Sequence, residues 1–148
     1  MTISFVPTLR APLRCAAGVA LALLCACAPM AHTPAPVVTG TQWTVVELDG
    51  DAIAPGVTAT LAIAKDGGVS GSDGCNRFVG GLVFEEGGKV AASPTAGVST
   101  RMACPGARDG VARRYNALRR EAATWRLEGG TLVLSTADGR TVTLRRSD

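Results

Sequence analysis

Two short stretches constrain this chain more than anything else in it. Val69 to Gly81 reads VSGSDGCNRFVGG, and Ser99 to Pro105 reads STRMACP. Each carries one cysteine, Cys75 and Cys104, and the glycines of the first mark backbone that must turn or approach another segment closely. The other three cysteines, Cys15, Cys25 and Cys27, all lie near the N-terminus. A cystine between Cys75 and Cys104 closes a loop of about 30 residues and contributes about 3–4 kcal/mol by chain-entropy arithmetic. If the two sulfurs lie too far apart to bond, both are free thiols and redox chemistry becomes an open reading.

The N-terminus reads as an export signal. Residues 1 to 14 hold Arg10 and Arg14 and no acid, and residues 16 to 26, AAGVALALLCA, are apolar, small and too few to span a bilayer. Leu24-Cys25-Ala26-Cys27 fits the pattern of bacterial lipoproteins, with leucine three residues before the cysteine that is acylated. The expected division is a signal peptide over 1–26, an acylated Cys27 with a tether over 27–40, and a folded domain over 41–148. Several acyl chains hold a protein on a membrane far more firmly than one. Alanine rather than aspartate at position 28 points to the outer membrane. The alternative is a plain signal peptide cut near Ala26 or Ala31. Cys15 and Cys25 leave with the leader, and the remaining pair suits an oxidising periplasm.

Charge narrows the partners. The 15 basic and 12 acidic residues give a formal +3, but two of the basic residues lie in the leader and all the acids lie after it, so the remainder carries only +1. A nucleic-acid binder relying on bulk electrostatics shows a stronger basic excess, so none is expected. Ala28 to Gly40 holds three prolines and no formal charge, which reads as an extended spacer. His32, the one histidine, sits there with no Cys, Asp or Glu beside it, and reads as inert.

The domain alternates short apolar strands with glycine and aspartate turns. Strands are expected at 42–48, 58–64, 69–72, 82–85, 89–92, 124–128, 131–135 and 141–145, with Lys65-Asp66-Gly67-Gly68, Gly129-Gly130 and Ala137-Asp138-Gly139 as hairpin signals. On the first strand Trp43, Val45 and Glu47 share one side and Thr44, Val46 and Leu48 the other. Between 107 and 123 the rhythm changes. Val111, Tyr115, Leu118 and Ala122 line one helical face while Arg113 and Arg120 point away, with Asp109 as a candidate cap.

The SGSDGCNRFVGG run followed by STRMACP, with the Trp43-bearing first strand and the closing hairpin on Asp138-Gly139, closely resembles the META domain family. That family includes the heat-inducible lipoprotein HslJ of bacterial envelopes, and the resemblance covers about residues 41 to 148. It implies an α+β fold in which a curved, barrel-like antiparallel sheet of about eight strands carries one amphipathic helix. It also implies a non-enzymatic role in envelope maintenance, stress or novobiocin tolerance.

The residues themselves name no catalytic set. A serine or cysteine nucleophile needs a base within reach, and only His32 is available, so no catalytic residue is assigned. Two cysteines without histidine make no zinc site, and Asp66, Asp73 and Asp138 sit in turns where aspartate serves the backbone; no metal and no cofactor is expected. Asn76 is expected to lock the cysteine-bearing turn, its alternative role being ligand contact. Arg77 and Arg101 flank the two cysteines as surface charge, as partners of Asp73, or as a small anion-binding spot. Arg113, Arg114, Arg119, Arg120, Arg145 and Arg146 read as a solvated face, or as contacts to lipid head groups. Trp43, Trp125, Phe78, Phe84 and Tyr115 are core unless the sheet leaves a cavity for an apolar ligand. Three functions therefore compete: an anchored envelope protein, a pilotin-like module binding a lipid or another envelope protein, and a thiol or redox enzyme.

Overall fold

The computed structural model describes residues 37–94 and 96–147. The leader, Cys27, His32 and most of the expected tether lie outside the described residues. Eleven strands and one helix follow in order: β1 (Thr41–Leu48), β2 (Asp51–Ala52), β3 (Thr60–Ile63), β4 (Val69–Ser72), β5 (Arg77–Val79), β6 (Leu82–Phe84), β7 (Val90–Ala92), β8 (Val98–Ser99), α1 (Ala107–Glu121), β9 (Ala122–Glu128), β10 (Thr131–Thr136) and β11 (Thr141–Arg146). The fold is α+β. One antiparallel sheet runs β8-β5-β4-β3-β1-β11-β10-β9 with β2 added beside β1, and β6 pairs with β7 alone.

The alternation of the last strands puts Leu132, Leu134, Val142 and Leu144 at 1% exposure or less. Their neighbours across the sheet are Trp43, Val45, Leu61 and Ile63, equally buried. The indole Nε1 of Trp43 donates to Thr41 Oγ1 at 2.6 Å, and the Thr41 hydroxyl donates to the Val38 carbonyl, so the largest core ring leaves no orphan donor. From the helix Val111, Tyr115 and Leu118 complete this core, and α1 lies against β1, β10 and β11. The interior is filled by side chains.

Several expectations give way to backbone detail. Leu48 is buried on the same side as Trp43 and Val45, not opposite them, because the β1–β11 register shifts between Val45 and Glu47. A bulge there inserts one residue and reverses the facing of all that follow. The helix ends at Glu121, and Ala122 already has extended backbone (φ −58°, ψ 127°), so α1 runs into β9 without a loop. Gly106 occupies the N-cap, and Asp109 sits in the first turn paired with Arg113. Val133 is buried although it alternates with the core leucines. Strands β2, β5 and β8, each two or three residues long, were not expected.

The two ends of the sheet are finished differently. The Trp125 amide donates to the Gly88 carbonyl at 2.7 Å, Lys89 bridges Thr124, and the Trp125 indole donates to the Glu85 carbonyl at 2.9 Å. The β6–β7 hairpin thus covers the free side of β9. At the other end β8 is only two residues long.

Gly71 shows how tightly the strands are fitted. A Cβ there would stand 2.2 Å from the Thr60 carbonyl oxygen and 2.7 Å from Phe78 Cζ. Gly71→Ala is expected to cost about 3 kcal/mol through overpacking. Gly139→Ala, in open space at φ +90°, is expected to cost about 1 kcal/mol from backbone strain alone. Urea unfolding of the two oxidised variants checks the difference.

Candidate functional site

The expected glycine-rich loop is a hairpin, β4–turn–β5, whose turn is held from inside. Asp73 is 1% exposed. Its Oδ1 accepts the amides of Cys75 at 2.8 Å and Asn76 at 2.5 Å, while its own amide donates to the Asn76 carbonyl at 2.9 Å. Gly74 supplies the left-handed residue, φ +94°. Asp73 therefore locks the turn, a role expected of Asn76.

Asn76 does something else. Its Oδ1 accepts the Met102 amide at 2.7 Å and the Thr100 hydroxyl at 3.0 Å, and its Nδ2 faces the Met102 carbonyl at 3.4 Å. Two further bonds join the Arg77 amide to Thr100 Oγ1 and the Thr100 amide to the Arg77 carbonyl. Beside them Cys75 and Cys104 form a disulfide with Cα atoms 5.9 Å apart. Together these contacts fasten the Ser99–Pro105 stretch to the hairpin. With both sulfurs bonded there is no thiolate to act as a nucleophile. Arg77 and Arg101 are exposed, and among the described residues neither enters an ion pair.

The other oxygen of Asp73 reaches the helix. Oδ2 accepts Asn116 Nδ2 at 2.6 Å, and Asn116 Oδ1 accepts Arg119 Nη2 at 3.1 Å. Arg119 is only 7% exposed, with its guanidinium carbon 3.8 Å from the centre of the Phe78 ring. Its Nε is buried and has no hydrogen-bond partner. Burial pushes the guanidinium below the ordinary arginine range and the charge of Arg120 adds to it, while Tyr115 and Asp73 oppose it. The expected basic face is thus dispersed. Arg119 is interior, Arg113 pairs with Asp109, and Arg114 reaches Asp51 and the Leu48 carbonyl. Arg119 follows Val111 and Tyr115 at steps of four, so it continues the apolar stripe, a signal hidden by its charge.

These elements enclose a groove of about 900 Å³. Asp73, Asn76 and Phe78 line it from β5 and the turn before it, Arg119 and Arg120 from α1, and residues 96–103 from β8 and its flanks. A second, smaller hollow of about 400 Å³ is mainly apolar and lies between Val38, Phe84 and Trp125. No group of three or more His, Cys, Asp or Glu that would hold a metal occurs among the described residues.

Two outcomes follow. Replacing Cys75 and Cys104 by serine is expected to lower stability by about 3–4 kcal/mol, read by urea unfolding against the oxidised chain. Tyr115, the one tyrosine of the chain, is fully buried, and its hydroxyl has a higher pKa than usual chiefly because burial disfavours the phenolate. A raised folded-state pKa means that the folded form keeps its proton after the unfolded form has lost it. The contribution of Tyr115 to stability is therefore constant below about pH 10 and falls above it. Tyrosinate absorbance should appear only together with unfolding, and Tyr115→Phe should remove this contribution to the alkaline slope.

Comparison with known proteins places the chain. Two solved structures share its fold, each with a TM-score of 0.58. An NMR structure of a protein from Burkholderia xenovorans is 24% identical, covering 74% of this chain and 83% of that one. A second NMR structure is 22% identical, covering 73% and 90%. No curated protein matches. The family model of the META domain matches residues 36–148, and the chain belongs to the META domain family.

Proposed function

We propose that this domain is a non-catalytic binding module of the bacterial cell envelope, anchored at the periplasmic face of the outer membrane through an acylated Cys27. It works through its surface groove and not through its interior. The observation that carries this reading is the construction of the groove. A disulfide and a set of hydrogen bonds from Asn76 fix one wall to the sheet, and Asp73 and Asn116 connect the sheet to the helix. Fixed concave surfaces with a few convergent polar groups are the usual form of a binding site. The core itself is occupied by large side chains, Trp43, Tyr115, Leu61 and Leu132 each being at 1% exposure or less. A pilotin-like partner, lipid or protein, therefore belongs on the outside of the sheet. A part in envelope maintenance, stress or novobiocin tolerance follows from the likeness to heat-inducible lipoproteins. The thiol-enzyme reading has no support in a bonded Cys75–Cys104 pair.

Native mass spectrometry of the full-length protein, gently extracted from its own membranes, tests this. The expected result is a chain acylated on Cys27 and lacking the two hydrogens of the cystine, with extra non-covalent mass. Ala96→Trp, which places a ring at the groove wall, should remove that extra mass while leaving the circular dichroism unchanged. An unacylated chain would overturn the anchor, and an adduct that persists in Ala96→Trp would overturn the groove.

A further inference from the structure

Arg119 is the odd residue of this groove. An arginine taken out of water ordinarily faces a carboxylate, because a lone buried charge is costly. Among the described residues none lies within ion-pair distance of Arg119. The nearby acid, Asp73, is already committed, with Oδ1 on two turn amides and Oδ2 on Asn116. One guanidinium nitrogen, Nη2, is held by Asn116, and Nε is sealed without an acceptor. Nη1 points toward the Gly80–Gly81 corner, where even an added Cβ on Gly81 would stand 3.5 Å from it. The groove lining as a whole carries three arginines, Arg101, Arg119 and Arg120, against the single carboxylate of Asp73.

Resting on the groove reading above, we propose that Arg119 is the receiving residue for an oxyanion, the phosphate or carboxylate of a small ligand, with Arg120 and Arg101 adding charge at the rim. The parts are already in position. Asp73 orients Asn116, Asn116 and the Phe78 ring hold the guanidinium plane, and the remaining nitrogen face is left for a ligand. A planar guanidinium fixed in this way suits the oxygens of carboxylate or phosphate and binds them without further ordering of the side chain. An incoming oxyanion also supplies the direct ion pair that Arg119 lacks, where the fold offers only the Phe78 ring and the more distant charge of Asp73.

The test is an NMR titration of isotope-labelled full-length protein in neutral-detergent micelles. The probes are inorganic phosphate, acetate, glycerol phosphate and phosphatidylglycerol mixed into the micelle. Saturable shifts of the Asn116 side-chain amide and of Arg119 Nε–H are expected with at least one of them. Response to free phosphate or acetate assigns a soluble anion, and response only to phosphatidylglycerol assigns a lipid head group. Arg119→Gln should weaken binding at least tenfold, Arg119→Lys less, and the remote Arg113→Gln not at all. If Arg119→Gln fails to fold, Arg120→Gln and Arg101→Gln decide, each expected to weaken binding about threefold by removing one nearby charge. Absence of saturable shifts with every probe, or unchanged affinity in folded Arg119→Gln or in both rim variants, overturns the proposal. If an adduct from native membranes is lost in Ala96→Trp while no oxyanion probe binds, the groove reading stands and the oxyanion assignment falls.

Discussion

The carboxylate of Asp73 is the point on which the site depends. Buried between hairpin and helix, it accepts two amides of its own turn and one side-chain amide from α1. Bonds to an ionised group of this kind are worth about 1.5–3 kcal/mol each, and losing the acceptor leaves the donors unpaired. The same residue therefore shapes the turn that presents Cys75 and positions the helix that presents Arg119. Remove it, and the cystine-bearing turn and the cationic wall lose their shared reference. A neutral residue of equal size would keep the volume but not the charge that draws the three donors together.

Around that point the fold is an exercise in covering exposed backbone. A curved antiparallel sheet has two free edges, and each is a site for unwanted pairing. Here one edge is covered by the β6–β7 hairpin through Gly88, Lys89 and the Trp125 indole. The other ends in the two-residue β8, held to β5 by Phe78–Ser99 and Val79–Val98 pairing. The buried Phe78 ring meets Tyr115 at 6.1 Å, edge to face, and lies under the Arg119 guanidinium. The core and the groove thus share a wall, and the aromatic ring is common to both.

Much of this was legible in the sequence. Val111, Tyr115, Leu118 and Ala122 at helical spacing give the buried face of α1, although Ala122 itself begins β9, because periodicity marks a face and not the residue where backbone dihedrals change. The glycine and aspartate turns gave most strands. Strands β2, β5 and β8 were hidden because two or three residues are too few to show alternation. The bulge after Val45 was hidden because an inserted residue leaves no compositional trace, only a change in which side chains face inward. Asp73 serves its turn as expected, but it also takes the locking role expected of Asn76, since both side chains accept amides and only three-dimensional position tells which amides are near. Arg119 was missed because charge usually outweighs position on a helical wheel, and here packing against Phe78 prevails.

The Cys75–Cys104 bond has a consequence for the integrity of the site. It closes a covalent ring that takes in β5, β6, β7 and β8. Both ends of that ring are clasped, one by Asp73 and the other by Asn76, and between them the β6–β7 hairpin is fastened to β9. A break in the exposed part of the ring would leave two pieces still joined, with the groove walls at 73–79 and 99–104 in place. The covalent tie thus makes the pairing of the two groove walls independent of an unbroken chain between them.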